Sequence, residues 1–257
     1  MTNPTSAMTN STPAMTKTSP PRPSIKYWVI VPAAGVGSRM NADRPKQYLP
    51  LSDKTVIEHT LEKLLSYPLF DHLLVGVSVD DQYWERFPIS CNKRVVRFDG
   101  GKERVDTVLN GLQLIADRAS PDDWVLVHDV ARPCITLNDI DRMVKALEAD
   151  DVGGILGVPV ADTVKKVVNG GIVNTVDRSS LWRAYTPQMF RYQALYSALE
   201  NGLNKGVVIT DEASAMEAEG LTPKMIQGSA ENIKITQPGD LHLAEIYLSR
   251  EKDMVTR

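Results

Sequence analysis

VPAAGVGSRMNADRPKQYLPL, residues 31–51, decides how the rest of the chain is read. The apolar run IKYWVIV (25–31) in front of it predicts a buried strand, which breaks at Pro32 into a loop of small residues carrying Gly35 and Gly37. With so little side chain, Ala33, Ala34, Gly35 and Gly37 let a ligand come close to main-chain N–H groups, a natural cradle for phosphate oxygens. Arg39 and Lys46 stand on the lip of that loop. Two cations there point to a triphosphate, whose charge exceeds what amide dipoles neutralise. A dinucleotide fingerprint would put a third glycine where Met40 stands. A Walker A loop needs Gly-Lys-Ser/Thr, whereas Gly101-Lys102 is followed by Glu103. The bland alternative is an ordinary strand-to-helix turn, and Arg39 with Pro45-Lys46-Gln47 weighs against it.

Outward from this loop, strands and helices alternate. Residues 55–67 place apolar side chains at helical spacing and stop at Pro68, and 71–80 read as a buried strand, completing a βαβ unit. RVVRFDGG (94–101) predicts another strand, 104–119 a helix, WVLVHD (124–129) a fourth strand and 138–149 a helix. The expected fold is α/β, a doubly wound and mostly parallel sheet. Ligands of such sheets sit outside the carboxyl ends of the strands, here in the loops after Val31, Phe98, Asp129 and Val160. After the strand GGILGVPV (153–160) the pattern changes. Residues 161–178 alternate valine and polar residues about Asn169-Gly170-Gly171, which predicts a hairpin projecting from the sheet. Its arms carry too little apolar surface to stand alone, so it is expected to lean on another surface, such as a second copy of the chain. SLWRAYTPQMF (180–190) returns to the body. Helices are expected over 191–203, 210–220 and 238–252, with KMIQG (224–228) and ENIKIT (231–236) as short strands.

At 257 residues, with 42% hydrophobic and 24% charged residues, the chain has the composition of a soluble globular protein. Its net charge of −3 argues against nucleic acid as the main partner, so phosphate binding must be local. Cys91 and Cys134 form no CxxC pair, and the four histidines show no ligand spacing, so no disulfide framework and no protein metal site is indicated. A reducing cytoplasm fits, and no run is long enough for a membrane span. Residues 1–24, rich in Ser, Thr, Pro and Asn and without acidic residues, read as a disordered tail or a transit peptide. The absence of an amphipathic period favours the tail, with 25–257 as the folded domain.

Taken together, VPAAGVGSRM, PKQYL, DGGKERVDTV, HDVARP, TVDRSSLW, TPQ, TDEASA and NIKIT resemble the 2-C-methyl-D-erythritol 4-phosphate cytidylyltransferase family of the non-mevalonate isoprenoid pathway, from about Tyr27 to Leu248. The resemblance implies a Rossmann-like nucleotidyltransferase fold and a homodimer whose hairpin arm reaches the partner's site. It also implies cytidylyl transfer from CTP to methylerythritol phosphate with release of pyrophosphate, and Mg2+ held mainly by the CTP phosphates. In this reading Pro32, Ala33, Ala34, Gly35, Gly37 and Gly101 meet the nucleotide through the backbone. Thr107 stands where relatives carry a serine beside the cytosine, and Asp129 borders the nucleotide. Arg39 and Lys46 stabilise the transition state. Arg132, Thr163, Arg178, Thr210 and Lys234 grip the polyol phosphate, with Arg178 and Lys234 orienting its phosphate for attack.

Each residue has a plainer reading. Asp129 and Thr210-Asp211 could be helix caps, Arg178 a surface charge, Thr163 a strand former, and Lys234, between Ile233 and Ile235, an outward strand position. The neighbouring activity is a cytidylyltransferase acting on another polyol phosphate such as ribitol 5-phosphate. Two readings from other classes are a glycosyltransferase, which should show Asp-x-Asp where His128-Asp129-Val130 stands, and a non-catalytic nucleotide-binding regulator.

Overall fold

A computed structural model describes residues 25–35, 40 and 42–255, without the side chains of 252–255. The expected tail (1–24) and two expected site residues, Gly37 and Arg39, lie outside the described residues. Strand β1 (Tyr27–Pro32) is followed by a 3-10 turn, Lys46–Tyr48, and a two-residue hairpin, β2 (Pro50–Leu51) and β3 (Lys54–Thr55). Next come α1 (Val56–Leu65), β4 (Phe70–Val77), β5 (Val95–Asp99), α2 (Arg104–Leu114), β6 (Trp124–Val127), α3 (Leu137–Leu147) and β7 (Gly153–Pro159). The chain ends with β8 (Val164–Val168), β9 (Gly171–Val176), β10 (Trp182–Arg191), α4 (Tyr192–Asn204), α5 (Glu212–Ala218), β11 (Lys224–Gln227) and α6 (Pro238–Val255).

Seven strands form one sheet in the order β11-β7-β10-β6-β1-β4-β5. All neighbours are parallel except at β10, which runs antiparallel to both β6 and β7. Alternate residues of the strands feed two apolar layers. On one face Val29, Val31, Leu73, Val75, Trp124 and Leu126 pack with Ile57, Leu61 and Leu64 of α1 and Ile140 and Met143 of α3. On the other Ile30, Leu74, Val125 and Val127 pack with Val108 and Leu112 of α2, Leu195 and Leu199 of α4 and Met216 of α5. This two-sided burial explains why the strands read as continuous apolar runs. Helix α6 buries Ala244 and Leu248 in a third cluster with Met40, Leu49 and Ile235.

From β1 the chain moves outward through β4 to β5, then returns to the opposite side of β1 as β6. The reversal opens a crevice between the carboxyl ends of β1 and β6, where doubly wound sheets bind ligands.

Two sequence expectations need correction. Residues 231–236 form no strand: the alternation of Ile233 and Ile235 about Lys234 is real, but their bonds go to loops. Ile235 N–H donates to the Ala131 carbonyl (2.8 Å), and Arg132 donates to that of Asn232 (2.7 Å). Conversely, 182–191, left unassigned by its sequence, is the strand β10 in the middle of the sheet. Pro187 fits there because the pairing with β7 shifts register between Ala184 and Gln188. The hairpin β8–β9 turns as expected at Asn169 and Gly170, both with positive φ (49° and 80°).

Candidate active site

The crevice is a cleft of about 230 Å³, lined by the loop after β1, the Lys46 turn, the Gly101–Thr107 segment, the loop after β6 and Lys234. Pro32, Ala33, Ala34, Gly35, Lys46, Gly101, Thr107, Asp129 and Lys234 all face it, so residues expected around the nucleotide and Lys234, expected on the polyol phosphate, converge from five segments. Among the described residues, nothing lies within 4 Å of the point where a Cβ on Gly35 would stand. At Gly100 and Gly101 the opposite holds: an added Cβ would lie 2.5 Å from Ala34 Cβ and 2.2 Å from Asp106 Cβ. Glycine there lets the β5–α2 loop close against the β1 loop.

Lys46 leads a three-residue turn whose other two side chains are buried anchors. Gln47 Nε2 donates to the Ala33 carbonyl (2.7 Å), tying the lysine turn to the cradle. Tyr48 stacks on Tyr83 and Phe87 and donates to Asp81 Oδ2 (2.9 Å). Lys46 Nζ itself donates to the Ile235 carbonyl (3.1 Å), from one wall of the cleft to the 231–236 strap. Thr107 is buried. Its hydroxyl accepts from Gly101 N–H (3.0 Å) and donates to the Glu103 carbonyl (3.2 Å), so it first of all shapes the loop.

The floor of the cleft is an ion network. Asp129 Oδ1 accepts from Arg104 Nε (2.8 Å), and Oδ2 stands 2.7 Å from Lys234 Nζ and 3.9 Å from Arg132 Nε. Burial pushes the Asp129 carboxyl up, but Arg104 and Lys234 outweigh it and hold it well below the usual carboxylate range. Arg104 also forms a two-pronged pair with Glu212 of α5, at 2.6 and 3.0 Å. Burial opposes the guanidinium charge, and the two carboxylates outweigh it, raising its pKa further. Arg132, expected to touch substrate, is instead buried. It stacks over the Tyr185 ring at 4.5 Å and donates to the Asn232 carbonyl, and burial lowers its pKa. Next to Asp129, His128 is fully buried between Thr186 Oγ1 (3.3 Å) and the Arg132 carbonyl (3.1 Å), and burial lowers its pKa to about 4.

The remaining expected residues lie elsewhere. Thr210 borders an adjoining hollow of about 380 Å³, walled by Glu103, Arg104, Asp211 and Glu212. Thr163 and Arg178 flank the base of the β8–β9 hairpin and line neither hollow; Arg178 donates to the Ala161 carbonyl. Asp211 is the N-cap of α5, as its plainer reading had it, and Gln188 of TPQ holds it through Asp211 Oδ2 (2.8 Å) and Ala213 N–H (2.9 Å). Arg104 and Glu212 were not singled out by sequence, and Gln47 entered only as part of Pro45-Lys46-Gln47, without a role of its own. The available signals were an arginine just after the double glycine and an acid just after Thr-Asp.

The sequence model of the 2-C-methyl-D-erythritol 4-phosphate cytidylyltransferase family matches residues 27–250. The chain belongs to this family. Curated members of the same name are similar throughout: one from Vibrio parahaemolyticus is 57% identical over 224 residues, covering 87% of this chain and 95% of the relative. One from Vibrio atlanticus is 53% identical, covering 87% and 96%. Among solved structures, a Francisella tularensis 2-C-methyl-D-erythritol 4-phosphate cytidylyltransferase superposes with a TM-score of 0.77 at 37% identity, covering 86% of this chain and 99% of that one. A 4-diphosphocytidyl-2C-methyl-D-erythritol synthase gives 0.77 at 38% identity, covering 88% and 99%. Membership makes the chain an enzyme of the nucleotidyltransferase class, with the α/β fold described above. No helix among the described residues is long and apolar enough to cross a membrane.

Proposed function

We propose that the protein transfers the cytidylyl group of CTP to 2-C-methyl-D-erythritol 4-phosphate, giving 4-diphosphocytidyl-2-C-methyl-D-erythritol and pyrophosphate. The observation that carries this reading is the convergence of a glycine-lined cradle, Lys46 and Lys234 on one cleft in a chain of this family. An oxygen of the polyol phosphate attacks the α-phosphorus, the bond from that phosphorus to the β-phosphate bridge breaks, and pyrophosphate leaves with the electron pair. The attacker is already anionic, so the chain needs no nucleophile of its own. Its residues align attacker and leaving group and neutralise the charge that builds between them. Backbone groups of Ala33, Ala34, Gly35 and Gly101 seat the nucleotide, Lys46 faces the triphosphate, and Lys234 faces the attacking phosphate; Arg39, outside the described residues, keeps the transition-state role that the family resemblance gives it.

Mg2+ is the proposed metal. Both Asp129 oxygens are engaged by cations, and no group of three or more His, Cys, Asp or Glu among the described residues could hold a metal. The donor set therefore fits an ion carried by triphosphate oxygens. When bound, it would neutralise phosphate charge. The chain acts as a homodimer with exchanged arms, in the cytoplasm. Support for the exchange comes from the arm: Val167, Val168, Ile172 and Val173 are 52–68% exposed, and Thr163 and Arg178 sit at its base, outside both hollows. The deciding experiment is pyrophosphate release by purified protein, comparing CTP with ATP, GTP and UTP, and methylerythritol phosphate with ribitol phosphate. Turnover should require CTP and methylerythritol phosphate; equal turnover with ribitol phosphate would refute the substrate assignment.

A further inference from the structure

Glu212 lies on the first turn of α5, outside every nucleotide-binding loop, yet its side chain is only 1% exposed. It accepts two bonds from the terminal nitrogens of Arg104, leaving Nε of that guanidinium to donate to Asp129 Oδ1. The other Asp129 oxygen faces Lys234. These contacts make a row of alternating charge, Glu212, Arg104, Asp129 and Lys234, running from a packed helix to the strap across the cleft. We propose that Glu212 is a positioning residue for cytidylyl transfer: acting through Arg104 and Asp129, it fixes where the Lys234 ammonium stands against the attacking phosphate. The inference rests on the reaction proposed above.

Three observations favour this over a purely stabilising pair. Buried ion pairs seldom outperform apolar residues of the same shape as stabilisers, whereas a two-pronged arginine–carboxylate pair fixes direction as well as distance. The anchor end is rigid, because α5 is capped by Asp211 and tied to β10 through Gln188. The working end is not: Lys234 is carried on 231–236, which has no strand ladder, and its long stem is steered by the carboxylate it meets. Without the Glu212 charge, the terminal N–H groups of Arg104 can turn towards Asp129 or an arriving triphosphate, and Lys234 loses its fixed partner.

The test is a set of double-mutant cycles on pyrophosphate release, with the intact protein, CTP, magnesium and methylerythritol phosphate. Glu212→Gln should lower kcat about ten- to hundredfold with little change in the KM for CTP, and Glu212→Asp should recover part of the loss. Combined with Lys234→Met, Glu212→Gln should add no more than about a factor of two, because its effect passes through Lys234. An unchanged kcat in Glu212→Gln, or multiplied losses with Lys234→Met, overturns the positioning role. If Glu212→Gln does not fold, Glu212→Asp with Lys234→Met carries the same cycle. Those results with an active wild type remove the positioning role alone; a wild type that releases no pyrophosphate removes the reaction, and this inference with it.

Discussion

Asp129 in the cleft is met by Arg104, Arg132 and Lys234, from three separate segments, while Arg178 at the base of the arm donates to the carbonyl of Ala161 in the link between β7 and β8. The cleft is thus set by contacts between residues far apart in the chain, and the arm by its own ladder of five pairs between β8 and β9. A two-stranded ribbon with exposed valines is at best marginally stable in water. In the function proposed above, the cleft residues assigned to the nucleotide are brought together within one chain, whereas Thr163 and Arg178, assigned to the polyol phosphate, stand at the base of an arm proposed to lean on a partner. Substitutions in the cleft should therefore change chemistry or fold in a single protomer. Those in the arm should change assembly and second-substrate binding.

The largest effect is expected at Lys46. Lys46→Ala removes a cation aimed into the cleft from a turn still anchored by Gln47 and Tyr48. Turnover should fall about 10²–10³-fold, on the scale of losing one preorganised charge-stabilising donor. The melting temperature should stay close to that of the wild type. Near-normal turnover would show that the cleft's charge is not what accelerates the reaction.

A second test concerns pH and the cleft alone. His128 has a pKa of about 4 in the folded chain against 6.5 when free, so between these values the unfolded chain binds the extra proton. Stability from this group is complete above about pH 6.5 and is lost as pH falls towards 4, by up to about 3 kcal/mol. Asp129, held below the ordinary carboxylate range, adds its own loss only at lower pH, beneath about 4. Thermal melts from pH 4 to 7 should show the first slope, and His128→Asn should flatten it. An equal slope in the variant would mean that another group titrates there.

Much of this was legible in the sequence because it is local. Alternating strand and helix patterns gave the doubly wound sheet, and the small residues from Ala33 to Gly35 marked the cradle. Asn169-Gly170 marked the hairpin turn. What stayed hidden depends on distance along the chain: Arg104 and Glu212 are 108 positions apart, and no local pattern pairs them. Strand β10 was masked by Pro187, a residue that argues against a central strand until a register shift accommodates it. The strap 231–236 failed the other way, since Ile233 and Ile235 alternate as in a strand but serve the Ala131 loop and the α6 cluster.

The arm supplies the next effect. Arg178→Ala should raise the KM for methylerythritol phosphate about ten- to hundredfold while leaving CTP affinity and melting temperature near wild type, as expected for loss of one charged phosphate contact. Mixed dimers of Arg178→Ala with Lys46→Ala chains sharpen the point. If the arm completes its partner's site, one of the two sites in each mixed dimer regains both residues, and activity should rise above that of either parent. Proven mixed dimers without recovery would confine each site to a single chain.

The smallest change in protomer stability, and the sharpest contrast with the cleft, is expected at Ile172 and Val173, which are 68% and 60% exposed. Placing a charge there, as in Ile172→Lys with Val173→Glu, buries nothing new within the chain, and surface changes of this kind stay within about 0.5 kcal/mol. If the arm leans on a second copy, the same pair puts two charges into an apolar contact and should shift the protein from dimer to monomer in analytical ultracentrifugation. Pyrophosphate release should fall with the dimer fraction, while CTP binding to the isolated cleft persists. An unshifted dimer would separate the arm from the interface and leave its exposed valines without a partner.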